Sequence, residues 1–321
     1  MRPGTSWARS GPGRRCRDLG VRAGRAAPGR SSPVPPARLA LARRADGERS
    51  AGVRWCHRYG APSVLLDMHS VIVEPPDTLT PPDSYAVSAE FYDVLQAQDD
   101  ARRVRHLYGP AVAKARLGVV DVGAGTGRVT LMSLARSEVG VHAVEPARAM
   151  RAALMTRLAA LPSTQRARVS VHPHTLGEAA LHDVADLVVC HNTVACLSPA
   201  ARRALWAAAG DALVPGGTLL LQLPPARLPV EDRHRVFPVQ RMGRHEYGGR
   251  MVMSAAGPRI RTRVEYWVRG TQGLLRQHTE TFWMWPATRS DLTADLRRHG
   301  FTVSSAHHDP AVLAVTLRQE A

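Results

Sequence analysis

The apolar positions between residues 117 and 223 predict short buried strands that alternate with helices. Runs of four to eight mostly apolar residues stand at 117–122, 139–144, 169–172, 185–191 and 218–223. The intervening segments, such as 147–161 and 199–213, suit helices. Apolar strands separated by helices are typical of parallel sheets whose two faces are both covered. We therefore predict an α/β fold with a Rossmann-like, doubly wound sheet.

A different pattern follows Pro224. Residues 259–269 alternate strictly between two faces, and 270–273 reads as a turn into a partner strand at 274–285. A four-residue turn would place Arg263 opposite Glu280 and Glu265 opposite His278. This antiparallel hairpin and the insert before it are expected to form a lid at 226–285.

The end of the chain predicts a helix at 290–299 that stops at Gly300, followed by strands at 301–306 and 311–317. The main sheet is thus expected to be mostly parallel, with an antiparallel last strand.

The N-terminal part of the chain has a different composition. Residues 1–67 are rich in Arg, Pro and Gly and show no sustained period, so we expect a disordered extension. An organellar transit peptide, a basic interaction tail and upstream sequence before an initiator at Met68 are the alternatives, and the last is favoured. The catalytic domain is then 68–321, with a helix that Ser88 caps and that continues to about His106.

Charge and cysteine content exclude several classes. The formal net charge is +16, but residues 1–66 hold fourteen arginines and three acids, so the body is nearly balanced and a nucleic-acid substrate is disfavoured. Cys190 and Cys196 belong to no spacing typical of zinc, so no metal is expected. No apolar run is long enough to cross a membrane, and we expect a cytoplasmic protein. The sequence does not decide the oligomeric state.

The sharpest chemical signal is the glycine-rich segment 119–128, VVDVGAGTGR. Glycines at a strand end let the backbone approach a ligand closely. Their positions, 123, 125 and 127, differ from the G-x-G-x-x-G spacing of a dinucleotide loop. Asp121 lies two residues before the first glycine, which favours a ligand with an ammonium group over one with a pyrophosphate. The alternative is a glycine-rich turn with a purely structural role.

This segment resembles motif I of the class I methyltransferases that depend on S-adenosylmethionine (SAM), and the order of elements is similar over residues 85–321. The resemblance implies SAM as the cofactor, with the glycine loop along its methionine half and sugar and Asp121 at its amino group. The expected loop contacts are Asp121, Gly123, Ala124, Gly125, Thr126 and Gly127.

A second element is 141–150, VHAVEPARAM, in which Glu145 ends a strand 18 residues after Gly127. A carboxylate there can accept hydrogen bonds from two ribose hydroxyls. Glu145 resembles the acidic residue of motif II in the same family, with Pro146 beside it and Met150 over the adenine edge. After the third strand the family has an acid near the adenine. Thr175 stands in that place, so Thr175 or the backbone of Leu176 is expected to make the contact.

Residues 190–194, CHNTV, end the fourth strand where sulfonium and substrate meet in this fold. His191 is a candidate general base, a hydrogen-bond partner that orients SAM, or a residue that satisfies a loop carbonyl. Asn192 is expected at the cofactor. Tyr85 and Tyr92 resemble the N-terminal tyrosines that relatives fold over SAM, with Tyr92 as a second catalytic candidate, although Tyr92 could equally cap the sheet.

Aromatic residues in the lid are candidate substrate contacts. Tyr247, Trp267 and Trp283 are the predicted ones, whereas Tyr266 is better explained by the core. The closing segment 282–301 resembles small-molecule methyltransferases and also the amine methyltransferases of ribosomal-peptide clusters.

The predicted activity is transfer of a methyl group from SAM to a small molecule or peptide, most simply at an amine nitrogen, by positioning the nucleophile close to the sulfonium. No D/N-P-P-Y follows the fourth strand, which argues against DNA bases or glutamine. The alternatives are O-methylation of a phenol or acid, a catalytically silent methyltransferase-like scaffold, and a nicotinamide oxidoreductase.

Overall fold

The computed structural model describes residues 85–304 and 307–319, and within them the chain forms a seven-stranded and a four-stranded sheet. The predictions for residues 1–67 and for the initiator at Met68 lie outside the described residues. The strands of the larger sheet are β1 Gly118–Val122, β2 Gly140–Val144, β3 Val169–His172, β4 Ala185–Cys190, β5 Leu213–Gln222, β10 Phe301–Val303 and β11 Val312–Leu317.

The larger sheet has the order β10-β11-β5-β4-β1-β2-β3. The neighbours from β5 to β3 pair in parallel, whereas β11 runs antiparallel to both β5 and β10. The α/β fold with an antiparallel last strand is therefore confirmed. The order reverses between β1 and β4, and ligands bind at such switch points beyond the carboxyl ends of the strands.

Helices cover both faces of this sheet. They are α1 Ser88–Val112, α2 Arg128–Arg136, α3 Arg148–Ala159, α4 Ser163–Arg166, α5 Leu176–Ala179, α6 Pro199–Ala212 and α7 Arg289–Arg298. Trp206 of α6 and Leu296 of α7 belong to the apolar cluster on one face. Tyr108 of α1 and Met132 of α2 belong to the cluster on the other. Burial on both faces explains why these strands read as continuous apolar runs.

The lid is larger than the predicted hairpin. It is a four-stranded antiparallel sheet of β6 Arg233–Met242, β7 His245–Ala256, β8 Arg259–Gly270 and β9 Gly273–Met284, paired in that order. The alternation in β8 is confirmed, because Ile260, Val264 and Val268 are buried and Arg261 and Arg263 are exposed.

The predicted hairpin register is wrong. Arg269 does pair with Leu274, but the register shifts by one residue before Val268 pairs with Arg276. Glu280 therefore lies opposite Val264, and His278 lies opposite Tyr266. One extra residue in a bulged strand shifts every later pair, and no feature of the turn sequence predicts this bulge.

The first helix also differs from its prediction. It runs six residues beyond His106, and Val87 occupies the N-cap position without a side-chain hydrogen bond. Ser88, the predicted cap, donates its backbone N–H to the Glu280 carboxylate over 2.7 Å. A carboxylate from β9 thus satisfies an N–H at the start of α1, where negative charge is favoured.

Candidate active site

A cavity of about 570 Å³ opens at the carboxyl ends of β1, β2 and β4. The inner face of the four-stranded sheet and the first turns of α1 form its opposite wall. All the predicted cofactor contacts except Gly127 line it, namely Tyr85, Asp121, Gly123, Ala124, Gly125, Thr126, Glu145, Pro146, Met150, Thr175, Leu176, His191 and Asn192. The fold therefore brings together residues that are up to 107 positions apart in the chain.

The glycine loop needs its glycines for different reasons. Gly123, Gly125 and Gly127 have φ of 69°, 57° and 92°, the left-handed region that side chains disfavour. A Cβ on Gly123 would lie 2.4 Å from Thr193 Oγ1, and one on Gly127 would lie 2.5 Å from a Leu154 methyl. Gly127 forms the N-cap of α2 and lies outside the cavity lining, so its predicted cofactor contact is corrected to a packing role.

Glu145 connects the second strand to the glycine loop. Its carboxylate accepts hydrogen bonds from Gly125 N at 2.7 Å and Ala147 N at 2.8 Å. Burial raises the pKa of this carboxyl, and the two backbone N–H groups oppose the shift. A carboxylate has about four acceptor positions, so the side chain can still accept from two vicinal hydroxyls.

Asp121 is buried at the end of β1, where Thr130 Oγ1 donates to it over 2.6 Å. Burial raises the pKa of this carboxyl to about 6. A buried carboxylate is costly unless it is paired. Because Asp121 lines the cavity, an ammonium group placed there would supply the missing charge.

The position predicted to contact adenine is occupied by a helix cap. Thr175 is the N-cap of α5, and its hydroxyl donates to the Glu178 carboxylate over 2.7 Å in a capping box. Its side chain is therefore engaged in the cap. Leu176 is buried and also lines the cavity.

His191 lies in the cavity wall with both ring nitrogens engaged. Nδ1 lies 3.2 Å from the Tyr108 hydroxyl, and Nε2 lies 3.1 Å from Asp100 Oδ1. The amide nitrogen of Asn192 is 3.2 Å from the same Nε2. Whether neutral or protonated, the ring offers no free lone pair to the cavity. This arrangement supports neither a general-base role nor a hydrogen bond from the ring to the cofactor, and among the described residues neither nitrogen bonds a loop carbonyl. His191 still lines the cavity, so a contact of its ring with the cofactor stays a prediction.

Sequence reasoning missed the ion pairs that join α1 to the glycine loop. Arg128 follows the last glycine, and its guanidinium lies 2.9 Å from carboxylate oxygens of both Asp93 and Asp100. Thr126 Oγ1 also donates to Asp93 over 2.8 Å, and Arg157 pairs with the same carboxylate. The seven-residue spacing of the two acids on one helix face was the available signal.

The two predicted tyrosines line the cavity. Tyr85 stacks on Phe282 with 4.8 Å between ring centroids, and the Arg128 guanidinium lies 5.0 Å from the ring of Tyr92. Burial raises the pKa of Tyr92 to about 12. The pKa of Tyr85 is also raised, by the neighbouring Cys196 and by burial. Both phenols therefore stay protonated near neutral pH and can act as hydrogen-bond donors.

The predicted substrate contacts in the lid are corrected. Tyr247, Trp267 and Trp283 do not line this cavity. Tyr247 packs beside Phe91 of α1, whereas Trp267 covers Gly248 and Trp283 stacks with Arg259 on the outer face of the sheet. Side chains alternate along a strand, so the neighbours of the two tryptophans, Tyr266 and Phe282, point inward instead.

The cavity wall contributed by the four-stranded sheet is largely apolar. It consists of Arg235, Phe237, Met251, Met253, Thr262, Val264, Tyr266, Phe282 and Met284. Thr262 Oγ1 is buried and has no hydrogen-bond partner among the described residues. This wall faces the glycine loop, where the cofactor is predicted to bind, across the same cavity.

Residues 120–219 match the family model described as a methyltransferase domain. Over this segment the chain is similar to methyltransferase domains. The matched segment includes the glycine loop from Asp121 onward, Glu145 and His191. The groups around the cavity fit SAM. The Asp121 carboxylate can accept hydrogen bonds from its ammonium, the Glu145 carboxylate can accept them from its ribose hydroxyls, and the glycine loop allows the ligand to approach the backbone closely.

Solved structures share the fold of this chain. CalS10 of Micromonospora echinaspora, an amino pentose methyltransferase, is 22% identical with a TM-score of 0.53, over 74% of this chain and 98% of its own. KedS8 of Streptoalloteichus, a sugar N-methyltransferase, is 21% identical with a TM-score of 0.53, over 82% and 99%. A SAM-dependent methyltransferase of Clostridium acetobutylicum is 14% identical with a TM-score of 0.57, over 73% and 99%.

No curated protein matches the sequence significantly. Among the helices of the described residues, none is long and apolar enough to span a membrane.

Proposed function

We propose that this methyltransferase methylates an amine nitrogen of a small molecule or peptide. The observation that carries the proposal is the apolar wall that faces the cofactor loop across the cavity, with no free base beside it among the described residues. The fold can serve such acceptors, because KedS8 is a sugar N-methyltransferase.

The groups that could deprotonate a hydroxyl acceptor are already engaged. His191 is held between Tyr108 and Asp100. Tyr92 keeps its proton near neutral pH, because its pKa is raised to about 12. Asp121 and Glu145 lie in the cofactor half, where each accepts hydrogen bonds from the protein. A phenol or alcohol acceptor needs a base, whereas a neutral amine already carries its lone pair.

The apolar wall also favours the reactive form of an amine. Burial among Met251, Met253 and Phe282 disfavours an ammonium ion, so it lowers the pKa of a bound amine. When bound, SAM supplies an electrophilic methyl group. Transfer to the acceptor nitrogen would form the N–C bond as the bond between the methyl group and the sulfonium breaks, and the proton of the methylated ammonium would pass to water. The contribution of the chain is positioning, which can account for a large share of such a rate.

The test is a methylation assay with isotopically labelled SAM and three acceptors that share one skeleton: phenethylamine, 4-ethylphenol and 3-phenylpropanoic acid. We expect labelled product from the amine alone, with a rate that rises with pH as the ammonium form of the acceptor is deprotonated to the neutral amine. Product from the phenol or acid without product from the amine would contradict the proposal.

Titration of the protein with SAM comes first, because a silent scaffold would bind no SAM at high micromolar concentration. Glu145→Gln should weaken SAM binding, whereas Arg102→Gln, on the exposed side of α1, should behave like wild type.

A further inference from the structure

Arg235 differs from every other side chain on the cavity wall formed by the four-stranded sheet. It is the one charged residue among the nine described residues of this sheet that line the cavity. Its side chain is exposed, and its guanidinium lies 5.2 Å from the ring centroid of Phe237. An exposed guanidinium that borders the cavity is therefore available to a bound molecule.

The register shows why this arginine faces inward. Arg235 pairs with Met251 across β6 and β7, and Met251 pairs with Val264 across β7 and β8. Paired residues point to the same face, so Arg235 ends a row of apolar side chains at the edge strand. A positive charge at the edge of an apolar wall is complementary to a ligand that has an apolar body and one negatively charged end.

Three arginines on the outer face of the same sheet pair with carboxylates. Arg241 pairs with Glu246 at 3.0 Å, and both Arg250 and Arg263 pair with Glu265, at 2.7 and 3.3 Å. Among the described residues, no carboxylate lies within ion-pair distance of Arg235. Arg235 thus borders the cavity without an ion pair to any described residue.

We infer that Arg235 selects acceptors that carry an anionic group, a carboxylate or a phosphate, on the apolar body that bears the amine. This inference rests on the proposed function and names its substrate class. A guanidinium binds either anion through two parallel hydrogen bonds. A carboxylate held in this way is a poorer nucleophile, so the anion anchors the acceptor and the amine receives the methyl group.

The experiment measures binding to protein saturated with S-adenosylhomocysteine, by calorimetry. Two matched sets of probes are used: phenylalanine against phenylalaninamide, and O-phosphotyramine against tyramine. Three proteins are compared, namely wild type, Arg235→Gln and Arg241→Gln. The last variant removes an arginine from the same strand that faces outward, so it is the matched control.

We expect wild type and Arg241→Gln to bind at least one anionic probe about tenfold more tightly than its neutral partner, because a charge-assisted hydrogen bond contributes that order of affinity. Arg235→Gln should lose this preference. A preference for phenylalanine over phenylalaninamide would identify the anion as a carboxylate, and a preference for O-phosphotyramine over tyramine would identify it as a phosphate. Equal affinity for anionic and neutral probes in wild type, or a preference that survives in Arg235→Gln, would overturn the inference.

The failure of this inference is distinguishable from failure of the proposed function. S-adenosylhomocysteine affinity, measured first, reports whether each variant keeps its fold and cofactor site. Labelled methylation of phenethylamine, which has no anion, tests amine transfer by itself. A wild-type protein that methylates phenethylamine but shows no preference for anions would refute the role of Arg235 alone.

Discussion

The buried ion pairs of Arg128 are expected to hold the first helix on the cofactor loop, and Arg128→Met should expose this. The Arg128 side chain is 7% exposed, and those of Asp93 and Asp100 are 20% and 12% exposed. The guanidinium also donates to the carbonyl of Ala97 over 2.8 Å. Methionine keeps the apolar stem but removes the positive charge that pairs with both carboxylates.

The magnitude follows from the partners that remain. Removing one member of a buried pair costs about 3–5 kcal/mol, because a buried charge is left uncompensated. Asp93 keeps Arg157 and Thr126, and Asp100 keeps His191. We therefore expect the lower end, a loss of about 3 kcal/mol in the free energy of unfolding.

Urea denaturation provides the assay, and Arg102→Met is the matched control. Arg102 also pairs with an α1 aspartate, Asp99, but these side chains are 71% and 68% exposed. Exposed pairs contribute about 0–1 kcal/mol, so the control should change little. A difference of less than about 1 kcal/mol between the two variants would refute the reasoning that desolvated ion pairs fix α1. SAM affinity should fall in Arg128→Met as well.

Three further predictions concern the cavity. Gly125→Ala should cost about 1 kcal/mol of stability, because φ is +57°, and should weaken SAM binding at least tenfold by calorimetry, whereas Gly140→Ala, in open space, should not. The raised pKa of Asp121 means that the SAM-free folded state binds its proton more tightly than the unfolded state. The stability of that form should therefore fall by about 2–3 kcal/mol as pH rises from about 4 through about 6, and Asp121→Asn should flatten this part of the melting-temperature profile. Thr262→Val should raise the free energy of unfolding by about 1 kcal/mol in urea, because it replaces a buried hydroxyl without a partner by a methyl group; a decrease would reveal a partner.

Local signals predicted the larger sheet and the cofactor half of the cavity. The apolar runs are local, and glycines at 123 and 125 report a requirement of the backbone itself. Glu145 could be found because it follows a strand that neighbours β1 in a doubly wound sheet. In each case the residues near one strand end contain the information.

The four-stranded sheet and the cavity wall that it contributes depend on features that the sequence does not show locally. Strands β6 and β7 were missed because Pro238 and the glycines at 248 and 249 interrupt their alternation. Trp267 and Trp283 are candidates because they are aromatic residues of the predicted lid, yet the alternation of side chains along each strand places them on the outer face. The bulge that shifts β9 is likewise invisible in composition.

The helix α1 joins the two halves of the site. Its Phe91 stacks on Tyr266 of the four-stranded sheet with 4.6 Å between ring centroids, and two residues further on Asp93 binds the glycine loop through Thr126 and Arg128. A methyl transfer that depends on positioning needs cofactor and acceptor to keep one relative geometry. Because α1 contacts both walls through buried side chains, a change in its packing should reduce turnover even where no residue that touches SAM or the acceptor has changed. We therefore expect the ion pairs of α1 to affect catalysis as well as stability.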